Sequence, residues 1–188
     1  MARSATQTFN TPQERALEAS RQVALVVGAS LVVALCARIT IPLLPLTPVP
    51  LTVQNLGVLL VGMLLGSKRG FAALALYLAE GAAGLPVFNP TGLGGIAQLL
   101  GPTGGFLMVY PLVAFVAGYF FERGEKSFAR AAAASVLAEI LLFAGGFGWL
   151  YYLSHSLAKA YVFIPAEIAK VLFAAAIVSR WRRGAVRR

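Results

Sequence analysis

The stretch Phe106-Leu107-Met108-Val109-Tyr110-Pro111-Leu112-Val113-Ala114-Phe115-Val116-Ala117-Gly118-Tyr119-Phe120-Phe121 contains no charged side chain. As an α-helix it rises about 1.5 Å per residue and reaches about 24 Å, most of the roughly 30 Å hydrocarbon core of a bilayer. Apolar side chains fall on every face, so no polar stripe is left to set against water. A second uncharged block covers residues 23–37. Of the 188 residues, 59% are hydrophobic and 12% charged, against roughly a quarter charged in ordinary soluble domains. That leaves too little polar area to coat a globule. The stretch reads as a membrane span, and the chain as one compact helical unit.

Outward from this block, proline, glycine and charge divide the rest into six expected spans: residues 21–41, 53–65, 71–83, 103–121, 128–153 and 165–181. Spans two and three are short for a bilayer core, and each abuts a long uncharged linker. The first linker carries Pro42, Pro45, Pro48 and Pro50, which forbid regular helix. The second, residues 84–101, is glycine-rich and holds Pro86 and Pro90. Short spans flanked in this way mark non-helical backbone entering the membrane against protein. The two linkers are therefore expected to meet on the outer face, as a lid over a small ligand. Residues 1–20 are expected as a polar cytoplasmic segment, 21–181 as the transmembrane substrate-binding domain, and 182–188 as a basic tail.

The net charge of +9 suggests nucleic acid, but the basic residues cluster at short junctions between apolar blocks and are not interleaved with aromatics. That placement reports topology. With the N-terminus inside, the cytoplasmic segments hold Arg3, Arg15, Arg21, Lys68, Arg69, Arg123, Lys126, Arg130, Arg180, Arg182, Arg183, Arg187 and Arg188, leaving Arg38, Lys159 and Lys170 outside. The expected fold is an all-α bundle of six transmembrane helices with both termini cytoplasmic. The single cysteine, Cys36, permits no intramolecular disulfide and is read as packing. No glycine-rich phosphate loop, His-Glu-x-x-His or Cys/His cluster occurs, so ATP binding, a metal and a resident cofactor are not expected.

Span six carries the most informative polar residues. Pro165 suits a first helical turn, Glu167 falls in that electropositive turn, and Lys170 follows on the same face. An acid and an ammonium this deep are costly unless paired, solvated or used. Either they form a structural ion pair, or they floor a polar pocket, with Lys170 facing an anionic group and Glu167 facing N–H donors. Glu139, set among Leu137, Ala138, Ile140 and Leu141, is either a packing residue or a protonatable relay. Glu80 is expected to pair with Arg38, and His155 to sit solvated in an outer loop. Small residues four apart on span one, Ala24 with Gly28 and Ser30 with Ala34, offer a docking face for another helix.

Several segments in order carry a family resemblance: Ala37-Arg38-Ile39-Thr40-Ile41-Pro42, then Thr47-Pro48-Val49-Pro50-Leu51-Thr52-Val53-Gln54, Gly66-Ser67-Lys68-Arg69-Gly70, Gly84-Leu85-Pro86-Val87-Phe88 and Gly101-Pro102-Thr103-Gly104-Gly105-Phe106. Together they resemble the BioY family, the biotin-specific substrate-binding S components of energy-coupling-factor (ECF) vitamin transporters. In that family span six opens with Pro-Gly-Asp and a lysine three residues after the acid. Here Pro165-Ala166-Glu167 precedes Lys170, so spacing is kept while Gly becomes Ala and Asp becomes Glu. The resemblance implies high-affinity biotin uptake across a bacterial cytoplasmic membrane, without bond chemistry. It also implies a transmembrane T component and two ATPase subunits as partners. The implied ligand contacts are Thr52, Gln54, Phe88, Asn89, Thr103, Glu167 and Lys170, with Tyr77 and Tyr110 as walls. Asn89 would hydrogen-bond a urea-like ring. An S component for another small vitamin, and an intramembrane lipid-processing enzyme using Glu139, Glu80 or His155, are the alternatives.

Overall fold

The computed structural model describes residues 11–44, 46–155 and 163–186, with side chains described through Trp181. Arg3, Pro45, Lys159, Arg187 and Arg188, together with the side chains of Arg182 and Arg183, lie outside the described residues. The described chain contains seven helices and one two-stranded pair. These are α1 (Pro12–Arg38), β1 (Thr40–Ile41), β2 (Leu51–Thr52), α2 (Gln54–Leu65), α3 (Ser67–Ala82), α4 (Gly95–Leu100), α5 (Gly104–Glu122), α6 (Phe128–Ser154) and α7 (Ile164–Val186). Six of the helices correspond to the six expected segments; α4 is a short extra helix inside the second linker. Three helices, α1, α5 and α6, are long and apolar enough to cross a membrane, and α2 is a shorter apolar helix.

Helix α1 begins well before residue 21, because the polar N-terminal segment carries its own start signal. Thr11 caps the helix by accepting from the Glu14 N–H, and Glu14 reaches back to the Thr11 N–H. This is a capping box, with Pro12 in the first turn. At the other end of the chain, α7 runs on to Val186, so the basic tail begins as helix. The proline linker is more ordered than an extended connection: it folds back so that Thr40 pairs with Thr52 and Ile41 with Leu51, antiparallel.

The core lies where α2, α3 and α5 approach one another. A Cβ at Gly62 would collide with the Ala114 backbone, and one at Gly118 would sit 2.6 Å from the Gly62 carbonyl oxygen. Glycine at both positions lets the helix backbones touch. Gly66 joins α2 to α3 with φ +86°, a conformation that disfavours any residue with a Cβ. The first turn of α3 is then capped from α5, where Glu122 accepts from the Ser67 N–H at 3.0 Å and from its hydroxyl at 2.7 Å. The α2–α3 turn therefore lies at the same end of the bundle as the α5–α6 turn. Lys126 of that second turn and Arg130 in the first turn of α6 donate to the last carbonyls of α5, at Phe121 and Phe120.

The two linkers meet at the opposite end. Pro48 and Pro50 of the first face Asn89, Gly92, Gln98 and Thr103 of the second across a hollow. Trp149 of α6 ties the second linker down by donating to the Gly101 carbonyl at 2.9 Å. His155 ends α6 in the left-handed conformation, φ 51°, with its side chain exposed.

Glu80 does not pair with Arg38: it accepts from the Ser30 hydroxyl at 3.2 Å, across the contact between α1 and α3. Arg38 is exposed at the end of α1. The helix geometry turns the two residues toward different neighbours. Cys36 is half-buried facing Gly57 of α2, a packing position.

Candidate functional site

Beneath the linkers, residues of α2, α5, α6 and α7 line a hollow. Helices α2, α5 and α7 contribute residues from their first two turns, and α6 contributes Phe143 from mid-helix. From α2 come Gln54 and Asn55, the first two helical residues, with Thr52 of β2 above them. Thr103, immediately before α5, and Tyr110 two turns on supply a second wall, and Asn89 a third. Phe106, Phe143 and Phe163 supply aromatic lining, and Glu167 and Lys170 of α7 complete it. A few polar groups converging in an aromatic-lined hollow is the usual build of a small-molecule site.

The polar groups form one network. Lys170 Nζ lies 2.6 Å from Glu167 Oε1, and both side chains are nearly buried. Asn55 Nδ2 donates to Glu167 Oε2 at 2.6 Å and to Glu139 Oε1 of α6 at 2.7 Å. The pair is thus bridged and also lines the hollow, which combines the two readings left open for span six. In the second linker, Asn89 Oδ1 accepts from the N–H and hydroxyl of Thr91. That leaves the Asn89 amide nitrogen as its free donor. Behind the cavity, Gln54 Nε2 donates to the Tyr77 hydroxyl at 2.7 Å, which donates to the Val87 carbonyl at 3.1 Å. A buried residue on α2 thereby fixes the linker that carries Asn89.

A model of the BioY family matches residues 6–187 of the chain. The chain belongs to the BioY family. A probable biotin transporter BioY of Pyrococcus horikoshii is 36% identical to it over 138 residues, covering 71% of this chain and 80% of the relative. A biotin transporter BioY of Thermotoga maritima is 39% identical over 150 residues, covering 77% and 88%. Among solved structures, the S component for biotin from an ECF-type ABC transporter superposes with a TM-score of 0.80. It shares 27% identity, over 89% of this chain and 93% of that one.

In this BioY chain the cavity brings together seven residues expected from sequence: Thr52, Gln54, Asn89, Thr103, Tyr110, Glu167 and Lys170. Tyr77 and Phe88 stand behind it. Both are buried, their rings in edge contact at a centroid distance of 5.4 Å, and neither lines the hollow. Phe88 is held there because Gly81 of α3 leaves room for its ring, which would collide with any Cβ. Sequence reasoning missed Asn55 and the aromatics Phe106, Phe143 and Phe163. Asn55 follows Gln54 directly, and successive residues on a helix point about 100° apart, so no sequence signal sets both on one cavity. Only tertiary packing between α2 and α7 makes both face the cavity. The expected docking residues divide likewise. Ala24 and Gly28 are exposed on α1, whereas Ser30 is buried against Glu80 and Ala34 packs on the core. Ser30 is therefore unavailable to a partner helix.

Proposed function

We propose that this chain binds biotin in the cavity under the two linkers and serves as the substrate-binding S component of an ECF-type biotin transporter. The observation that carries the reading is the convergence of Glu167, Lys170, Asn55 and Asn89 on one aromatic-lined hollow. Lys170 is already neutralised by Glu167 at 2.6 Å. A cation so paired has little net charge to offer an anion, but the pair presents donor and acceptor together. The ureido ring of biotin is neutral, with two N–H donors and one carbonyl acceptor, and it complements that arrangement. Its N–H groups meet Glu167 and Asn55, its carbonyl oxygen meets Lys170 and the Asn89 amide nitrogen, and Phe106, Phe143 and Phe163 pack on the thioether ring. The carboxylate-ended chain then extends past Thr103 toward the hollow between the linkers, where water reaches it. This placement replaces the expectation that Lys170 holds the anionic end.

The bundle is proposed to cross a bacterial cytoplasmic membrane six times, through α1, α2, α3, α5, α6 and α7, with both termini cytoplasmic. The support is the gathering of Lys68, Arg69, Arg123, Lys126 and Arg130 at the end away from the cavity, where the positive-inside rule sets them in the cytoplasm. A T component and two ATPases are proposed partners, with the exposed Ala24–Gly28 face of α1 as a docking surface. The test is binding of labelled biotin to the purified protein, alongside Lys170→Ala and Asn89→Ala. Wild type should bind at submicromolar ligand and both variants at least tenfold more weakly. Failure of wild type to bind at micromolar biotin, with another vitamin retained instead, overturns the substrate assignment.

A further inference from the structure

Glu139 is not part of the cavity lining, yet it touches the site through Asn55. It is 6% exposed and Asn55 is 4% exposed. The groups facing Glu139 are Asn55 from α2, Glu167 and Lys170 from α7, and the Tyr110 phenol from α5. That set holds two carboxyl groups and one ammonium. Lys170 is bonded to Glu167, and no other cation among the described residues faces Glu139 to offset a second carboxylate. Glu139 Oε1 accepts from Asn55, while Oε2 is buried with no partner among the described residues. The side chain of Glu139 borders an apolar groove between α6 and α7, walled by Val136, Ile140, Ile168 and Leu172. An anionic oxygen facing such a wall without a donor costs several kcal/mol; a proton on that oxygen removes the charge.

The amide of Asn55 is the second observation. Its one nitrogen serves both acids, which uses both of its hydrogens. Reversing the amide would set its carbonyl oxygen against the Glu167 carboxylate, which can only accept, so Glu167 holds the amide in this orientation. Asn55 Oδ1 is consequently turned away from the acids, buried and without a partner among the described residues, on a residue that lines the cavity.

We propose that Glu139 is a positioning residue of the biotin site: carried in its protonated form, it anchors the Asn55 nitrogen so that Asn55 Oδ1 is free to accept a ureido N–H. The proposal rests on the biotin reading of the cavity, and the two fail differently. Glu139→Gln keeps a neutral side chain whose carbonyl oxygen can still accept from Asn55, and should bind biotin within about threefold of wild type. Glu139→Met fills similar space without an acceptor, frees Asn55 to rotate, and should weaken binding by tenfold or more. Infrared spectroscopy of the ligand-free protein at neutral pH should show a protonated-carboxyl C=O stretch that is absent from Glu139→Gln and that shifts when biotin is added. A role confined to packing would leave that band indifferent to biotin.

The absence of the band from wild type overturns the protonated assignment, whatever biotin does. A tenfold loss in Glu139→Gln, or wild-type affinity in Glu139→Met, overturns the positioning role. If Glu139→Met fails to fold, Glu139→Gln and the infrared band decide the matter together. Wild type that binds no biotin sinks the ligand reading and with it the positioning role, and leaves the protonation state to the band alone.

Discussion

Replacing Lys170 with methionine removes the ammonium and keeps most of the apolar stem, which isolates the charge. The Lys170 and Glu167 side chains are 12% and 11% exposed, so water screens little of the loss. Truncating one partner of a buried pair costs about 3–5 kcal/mol, chiefly because the other is left uncompensated. Glu167 retains the Asn55 donor at 2.6 Å, which places the expected cost at the lower end, about 3 kcal/mol, out of a total stability of about 5–15 kcal/mol for a typical domain. The ligand also loses a charge-assisted hydrogen bond, worth about 1.5–3 kcal/mol, or at least tenfold in affinity. Adding Glu167→Gln removes the stranded carboxylate. The double variant should recover most of the stability, as replacing both partners of a buried pair by neutral groups generally does. Its biotin affinity should stay low, because neither the donor nor the acceptor has returned. Thermal unfolding in detergent gives the first quantity and titration calorimetry the second. A double variant no more stable than Lys170→Met, or a Lys170→Met protein with wild-type affinity, refutes the account of the pair as both a structural and a ligand-binding unit.

Tyr77→Phe leaves the Gln54 amide and the Val87 carbonyl without a buried partner, and should lower stability by about 1–3 kcal/mol in the same unfolding assay. Biotin affinity should fall only a few-fold, since the effect reaches Asn89 through the linker. Gly62→Val drives a side chain into the Ala114 backbone and should abolish the monodisperse peak in size-exclusion chromatography, whereas Gly28→Val, where a Cβ meets nothing within 4 Å, should leave folding and biotin binding intact. In a Cys36→Ser background, Leu93→Cys should react with a membrane-impermeant maleimide on intact cells, and Lys68→Cys only after permeabilisation. The reverse pattern would invert the proposed topology.

Six of the seven described helices were legible because each apolar block is bounded by something the chain cannot absorb. Gly66 to Gly70 with its two bases, the run of four prolines, and Glu122 to Lys126 each stop a span for a stated reason. The start of α1 was hidden because a capping box on polar residues signals a helix to a local reading only, while a hydropathy reading begins at the first apolar turn. Of the cavity lining, Glu167 and Lys170 were singled out by their spacing after Pro165, and Thr52, Gln54, Asn89, Thr103 and Tyr110 by the resemblance to the BioY family. Phe88 adjoins Asn89 in sequence, which does not show that its ring packs away from the hollow onto Tyr77 of α3. Glu139 could not be resolved between relay and packing, since its partner, Asn55, is 84 residues away.

The short second helix explains why a cavity exists at this depth. Helix α2 has 12 residues against 19 for α5 and 27 for α6, so it rises only about 18 Å where a full crossing needs about 30 Å. Its C-terminal end is fixed by the close approach of Gly62 to Ala114, and the shortfall therefore falls at its N-terminal end. There the first N–H groups of the helix have no intrahelical acceptors, and in lipid they would be stranded. Bending the linker back as the β1–β2 pair and setting Gln54 and Asn55 in the first turn surrounds that end with polar protein groups instead. The same deficit opens the space into which Glu167 and Lys170 project from α7. Lengthening α2 by a turn, with four alanines inserted before Gln54, should therefore remove biotin binding by filling the hollow, even where the bundle still folds. Retained binding in a folded insertion variant would show that the cavity does not depend on where α2 begins.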